Sequence, residues 1–192
     1  MPKPQLIKHF QNPFVVMDTE FTTWKGAQDR GWSKPDEWRE IVQIAALKVD
    51  PAKGFREEDT LDVLIKPTIN PVLSGFFQEL TGINQQQVDE AGLSFARGLQ
   101  QFADFAGDLP VWCYGMDDKV ILENCLLQET PFTPARPFYD VRMIVKLLGD
   151  TPHAYTSGTL HKAAGIDMDG HVHNALHDCR SIVQYLKHHF GT

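Results

Sequence analysis

The order in which periodicities change along the chain limits its fold more than any other feature. Between residues 14 and 65 three β-rich apolar runs follow one another before any long helical period begins: Phe14-Val-Val-Met17, Ile41-Val-Gln-Ile-Ala-Ala-Leu-Lys-Val49 and Leu61-Asp-Val-Leu-Ile65. Pro13 opens the first run, and Pro67 and Pro71 break the chain after the third. Strands in succession with no helix between them predict an antiparallel meander. Beyond it the pattern alternates, with helical segments at 84–90 and 94–106 and a buried strand at Val111-Trp-Cys-Tyr114 behind Pro110. Helices follow at 117–128, 141–148, 157–164 and 174–190, with Asp140 and Ser157 as candidate N-caps. A meander followed by alternation predicts an α/β sandwich around a mixed sheet. Residues 21–39 hold Thr, Gly, Trp and mixed charges without a period, and predict a long loop of the kind that carries function.

With 192 residues and no internal repeat or low-complexity linker, the expectation is one domain over 1–192. Cys113, Cys125 and Cys179 form no C-x-x-C pair, which argues against a disulfide framework or a structural zinc site and predicts reduced core cysteines. No apolar run reaches the roughly 18 residues that span a bilayer, and Met1 to Gln11 lacks the features of a secretory signal, so no membrane association and a cytoplasmic location are expected.

Three acidic motifs stand out. Asp18-Thr-Glu20 closes the first strand, where residues two apart share a face, so two carboxylates converge. Trp112-Cys-Tyr-Gly-Met-Asp-Asp118 takes a buried strand into the next helix and delivers an acid to a site-bearing position of open α/β sheets. His173-Asn-Ala-Leu-His-Asp178 opens the last helix. A spacing of five turns two helical residues about 140° apart, so the pair shares a cleft only with His173 in the preceding loop or first turn and Asp178 on the helix.

In this order the motifs resemble those of the DEDDh, or DnaQ-like, 3′ to 5′ exonuclease superfamily. The wording is closest to its Eri- and KapD-like branch: Asp18-Thr-Glu-Phe-Thr-Thr-Trp24 is similar to the first motif, Glu79-Leu-Thr-Gly-Ile83 with Val88-Asp89 to a mid-chain signature, and residues 165–178 to the third motif. Gln43 stands where the family often has Glu, and the approach to the second-motif acid is shifted, which leaves Asp117 and Asp118 both open by helical period. The wording Met116-Asp117-x-Lys119 favours Asp117. The resemblance runs from about residue 13 to 190. It implies a ribonuclease-H-like fold with a mixed five-stranded sheet flanked by helices, which agrees with the meander-then-alternation reading.

It further implies that Asp18, Glu20, Asp117 and Asp178 hold two Mg²⁺ or Mn²⁺ ions, for which hard oxygen ligands are suited. Asp18 is expected to bridge the ions, Glu20 and Asp178 to hold the one on the nucleophile side, and Asp117 to act largely at one remove on the other. His173 is the expected general base, since an unperturbed imidazole titrates near pH 6.5. Phe21 and Trp24 are candidates to stack on the terminal base, and Thr22 and Thr23 to contact its sugar. The expected partner is the 3′ end of a single-stranded nucleic acid, RNA favoured, with a DNA-trimming enzyme or a partner-binding protein on the same fold as alternatives. The net charge of −7 predicts a weak, salt-sensitive grip on long substrates, with recognition concentrated at the site. A second enzyme class, an iron oxygenase drawing two histidines and a carboxylate from the His-rich stretch 171–177, leaves the Asp18/Glu20 pair unexplained.

Overall fold

A computed structural model of the chain describes residues 6–191. Strands β1 (Phe14–Phe21), β2 (Ile41–Asp50) and β3 (Arg56–Leu64) form the antiparallel meander, while β4 (Val111–Cys113) and β5 (Phe138–Asp140) add in parallel, giving the order β3-β2-β1-β4-β5. Helices α1 (Gly75–Thr81), α2 (Gln85–Ala91) and α3 (Phe95–Ala106) precede β4. Helix α4 (Asp117–Leu127) lies between β4 and β5, and α5 (Val141–Leu148) and α6 (Ala175–Phe190) complete the chain. This is the mixed five-stranded sheet flanked by helices that the resemblance implies.

The two-residue period of β1 explains how both faces are covered. Phe14 and Val16 pack with Ala45, Leu47 and Val49 of β2 against α5 and α6, where Ile144, Cys179, Ile182 and Leu186 are buried. Val15 and Met17 face the other way, onto α3 and α4 through Leu99, Phe102, Val120 and Ile121. Each fully buried Leu, Ile, Val or Phe contributes roughly 1.5–3 kcal/mol. The three cysteines are free and buried in these layers, and burial pushes the Cys179 thiol well above its ordinary range.

Several boundaries differ from the sequence expectation for identifiable reasons. Strand β1 runs on to Phe21, so the loop that follows starts at Thr22. The first half of β3, Arg-Glu-Glu-Asp-Thr, is exposed and polar at the sheet edge, so it shows no alternation to read; its charges suit an edge that must not pair with another chain. Helix α1 and strand β5 are too short for a period to show, although Ser74 caps α1 by accepting from Phe77 N. The segment Ser157–Ala164 is helical but 3-10, and Thr156, not Ser157, occupies its N-cap position. Asp140 does cap α5, accepting from Arg142 N. Among the described residues no helix is long and apolar enough to cross a membrane.

Candidate active site

The parallel pair β1 and β4 ends on one side of the sheet, and the acids gather there. By the alternation of β1, Asp18 and Glu20 point toward α6 while Thr19 points toward α4. Thr19 uses that position to hold Asp117 at the first turn of α4: its backbone N and Oγ1 both donate to Asp117 Oδ1, at 3.0 and 2.7 Å. Asp178, in the first turn of α6, accepts from Ser157 Oγ at 2.8 Å and from the His173 backbone N at 3.2 Å. His173 lies in the loop before the Asn174 N-cap with φ +67°, a left-handed conformation uncommon outside glycine. That geometry resolves the five-residue spacing as expected, with the histidine in the loop and the acid on the helix.

Asp18, Glu20, Asp117, His173 and Asp178 all line one cavity of about 420 Å³. Ligand atoms of Glu20, His173 and Asp178 lie within 4.8 Å of one another. Asp118, one residue from Asp117, does not line the cavity. Burial raises the Asp18 carboxyl well above the usual range, and the charges of Asp117, Asp178 and Glu20 raise it further. Glu20 is raised well above its range by burial and then by Asp178 and Asp117. Asp178 is raised by burial against the opposing Ser157 hydrogen bond, and burial pushes Asp117 up to about 6 despite the bonds from Thr19. The two arginines on the cavity wall do not relieve this, because Arg39 pairs with Glu123 and Arg142 with Asp140. Buried oxygen donors of one sign around a common space fit divalent cations, which would restore their charged forms.

The supports of this centre come from parts of the chain far apart in sequence. Gly158 leaves room for Asp178: a Cβ there would sit 2.3 Å from Asp178 Oδ1. The Gly158 carbonyl in turn accepts from His177 Nε2 at 3.2 Å, fastening the 3-10 segment to α6. Gln43, buried on β2, accepts from Ala175 N at 3.0 Å and donates to Asp62 at 2.8 Å, so it anchors the start of α6 to the sheet. The loop carrying His173 is tied to α1 through His171 Nε2 and Leu80 O at 2.9 Å. The mid-chain stretch around Glu79–Ile83 therefore supports the histidine loop.

The substrate-contact candidates divide. Phe21 and Thr23 line the cavity; Thr22 and Trp24 do not. The Thr22 hydroxyl donates to the Trp38 carbonyl and accepts from Glu40 N, so it fastens the two ends of the loop. Trp24 enters a turn, its carbonyl accepting from Ala27 N. Sequence reasoning missed Trp32, Arg39, Leu80, Tyr114, Met116 and Ser157 on the wall. Tyr114 and Met116 stood within the second motif and were legible there; Trp32 and Arg39 carried no signal. The two-histidine iron arrangement has no geometry, since His171 and His177 bond to carbonyls and only His173 of the three lines the cavity.

Residues 15–186 match the family described as Exonuclease. The chain belongs to the exonuclease family. Its sequence relatives include exoribonucleases of the Eri-like branch. ERI1 exoribonuclease 2 of Xenopus laevis is 33% identical over 95 residues, which is 50% of this chain and 12% of that protein. The 3'-5' exoribonuclease 1 of Homo sapiens is 26% identical over 181 residues, 88% of this chain and 50% of that protein. This exonuclease-family chain thus spans half or less of the length of both relatives. Two solved structures share the fold. One, a 3'-exonuclease that recognises the 3' end of a histone mRNA stem-loop, superposes with a TM-score of 0.79 at 23% identity, over 93% of this chain and 63% of that one. The other, the nuclease domain of 3'hExo, a DEDDh family member bound to rAMP, gives 0.78 at 24%, over 93% and 91%. DEDDh exonucleases depend on divalent metal, which accords with the carboxylate and histidine cluster of this chain.

Proposed function

We propose that this chain removes nucleotides from the 3′ end of single-stranded RNA by two-metal-ion hydrolysis with Mg²⁺ or Mn²⁺, releasing nucleoside 5′-monophosphates. The observation that carries this reading is the convergence of four buried carboxylates and one imidazole on a single cavity, with Glu20, His173 and Asp178 in mutual reach. When bound, the ions supply neutralising charge at the phosphoryl oxygens and acidify the attacking water. The remaining work belongs to the protein. Asp18, Glu20 and Asp178 would hold the ions from rigid elements, and Asp117, fixed by two bonds from Thr19, would act at one remove. His173 takes the proton from the attacking water, and the adjacent Glu20 and Asp178 carboxylates stabilise the imidazolium that results. Phe21 and Tyr114 on the wall offer aromatic surface to the terminal base, and Thr23 lies where a sugar hydroxyl would pass.

The RNA preference rests on relatives named as exoribonucleases. Single-turnover degradation of RNA and DNA oligomers of identical sequence with 3′-hydroxyl ends tests it. We expect EDTA-sensitive release of 5′-monophosphates, faster from RNA, with blunt duplexes and 3′-phosphate ends resistant. Equal or faster loss of DNA would leave the exonuclease chemistry and replace its substrate.

A further inference from the structure

A second cavity, of about 580 Å³, lies across the wall formed by Trp32 and Arg39, the two residues that line both spaces. Its lining includes Lys34 and Trp38 from the 22–40 loop and Glu123 and Leu126 from α4. Large apolar groups face water here: Trp38 is 45% exposed and Leu126 73%. Exposed apolar surface of this kind commonly marks a binding surface. Trp32, at the boundary, has φ +52°, an outlier for a bulky residue of the sort that concentrates at binding sites. Arg39 lies 5.2 Å from the Trp32 ring centre and 5.9 Å from that of Phe21, a cation held over two aromatic faces between the cavities. The acids of the second cavity are paired, Glu37 with Arg30 and Glu123 with Arg39, while Lys34 adds a cation.

We infer that this cavity is a subsite for a nucleobase of the substrate strand beyond its two 3′-terminal nucleotides, stacked on Trp38 against Leu126. The inference rests on the exonuclease reading of the first cavity. A strand whose 3′ end is held there must leave over its wall, and the Trp32–Arg39 wall opens directly onto an apolar, aromatic space of ligand size. An acidic protein with few spare cations gains length-dependent affinity from stacking, which needs no phosphate neutralisation and accepts any base. The subsite therefore gives grip on longer strands without sequence preference.

Fluorescence anisotropy tests this with the whole chain in Ca²⁺, using labelled RNA of two and eight nucleotides, so that the readout is independent of hydrolysis. Trp38→Ala is expected to weaken the eight-nucleotide complex about tenfold, about 1.4 kcal/mol. The same change should leave the dinucleotide complex within about twofold, and Trp38→Phe should restore most of the loss. Leu126→Ser, at an exposed helical position, should give the same pattern more weakly. Unchanged binding of the longer strand in both alanine and serine variants would overturn the subsite and assign this face to a protein partner. Dinucleotide affinity falling in parallel would also overturn it, showing a general effect on the first cavity. Absence of oligomer binding by the unmodified protein would remove the exonuclease reading and the subsite together, whereas binding without metal-dependent turnover would strike that reading alone.

Discussion

The floor of the exonuclease cavity and its rim are built in opposite ways. On the floor, Asp117 and Asp178 sit in first helical turns and are held by hydrogen bonds from Thr19, Ser157 and the His173 backbone, buried to 7% and 1% exposure. On the rim, Trp32 and Arg39 come from the 22–40 loop and Tyr114 and Met116 from a turn, all with at least partial access to solvent. The floor holds like charges in place before any cation arrives, at a cost to the metal-free fold; the rim holds aromatic surface that can adjust to different bases. Chemistry needs fixed geometry, while sequence-tolerant stacking does not.

The sharpest way to break this contrast is to remove floor acids. Asp18→Ala and Asp178→Ala should each reduce turnover roughly 10⁴-fold or more, over 5 kcal/mol at about 1.4 per tenfold, with unchanged circular dichroism. Near-normal hydrolysis by either variant would sink the site. His173→Ala should lose about 10²- to 10⁴-fold in kcat while calorimetric metal affinity changes little. Because the ring lies with Glu20 and Asp178 within ligand reach, lost metal binding as the main defect would make it a ligand instead. Asp117→Asn should cost roughly 10- to 100-fold under saturating Mn²⁺ and Asp118→Asn almost nothing, about 1.4–2.7 kcal/mol against none; the reverse order would reassign the acid.

The cost of the floor should be visible in the metal-free protein. Asp117 is raised from an unfolded value near 3.9 to about 6, so its neutral form favours folding below the unfolded value, and this contribution is lost as pH rises through 6. In EDTA, Tm should therefore rise as pH falls from 7.5 to 5, by a few degrees for about 1–2 kcal/mol. Saturating Mn²⁺ at pH 7.5 should raise Tm as well, since it binds only the folded form. A Tm that falls steadily from pH 7.5 to 5 without metal would show that the acids do not burden the fold. Smallest of all, Phe21→Ala should raise KM for oligomers about tenfold through lost stacking, whereas Thr22→Val should leave KM alone and cost about 1 kcal/mol of stability. A KM effect from Thr22→Val would return that hydroxyl to the substrate.

Much of the floor was legible because its information is local. Asp18 and Glu20 share a face by the period of a strand, and the 140° between His173 and Asp178 on a helix forced the histidine into a loop, where the structure has it. Gln43, singled out only as a departure from the family wording, proved to hold the N-terminus of α6. The errors lay where local pattern is weakest: α1 and β5 are too short to show a period, and the polar start of β3 has no buried face to alternate against.

By itself the sequence determined the meander, the alternation after it and the acids at strand and helix ends, since each follows from spacing along a few residues, while the family came from the resemblance of the motifs. The family wording favoured Asp117 over Asp118, but only the tertiary structure supplies the physical ground, because Asp117 is held by Thr19, 98 residues away, and Asp118 does not line the cavity. It also put Trp32, Arg39 and Leu80, and not Thr22 or Trp24, among the residues that line the cavity. Those positions depend on how a loop without periodicity is fastened, by Thr22 to Trp38 and by Glu40 to the backbone of Thr68, Ile69 and Asn70. Contacts of that range exist only once the sheet and helices have closed, and no local repeat in the chain encodes them.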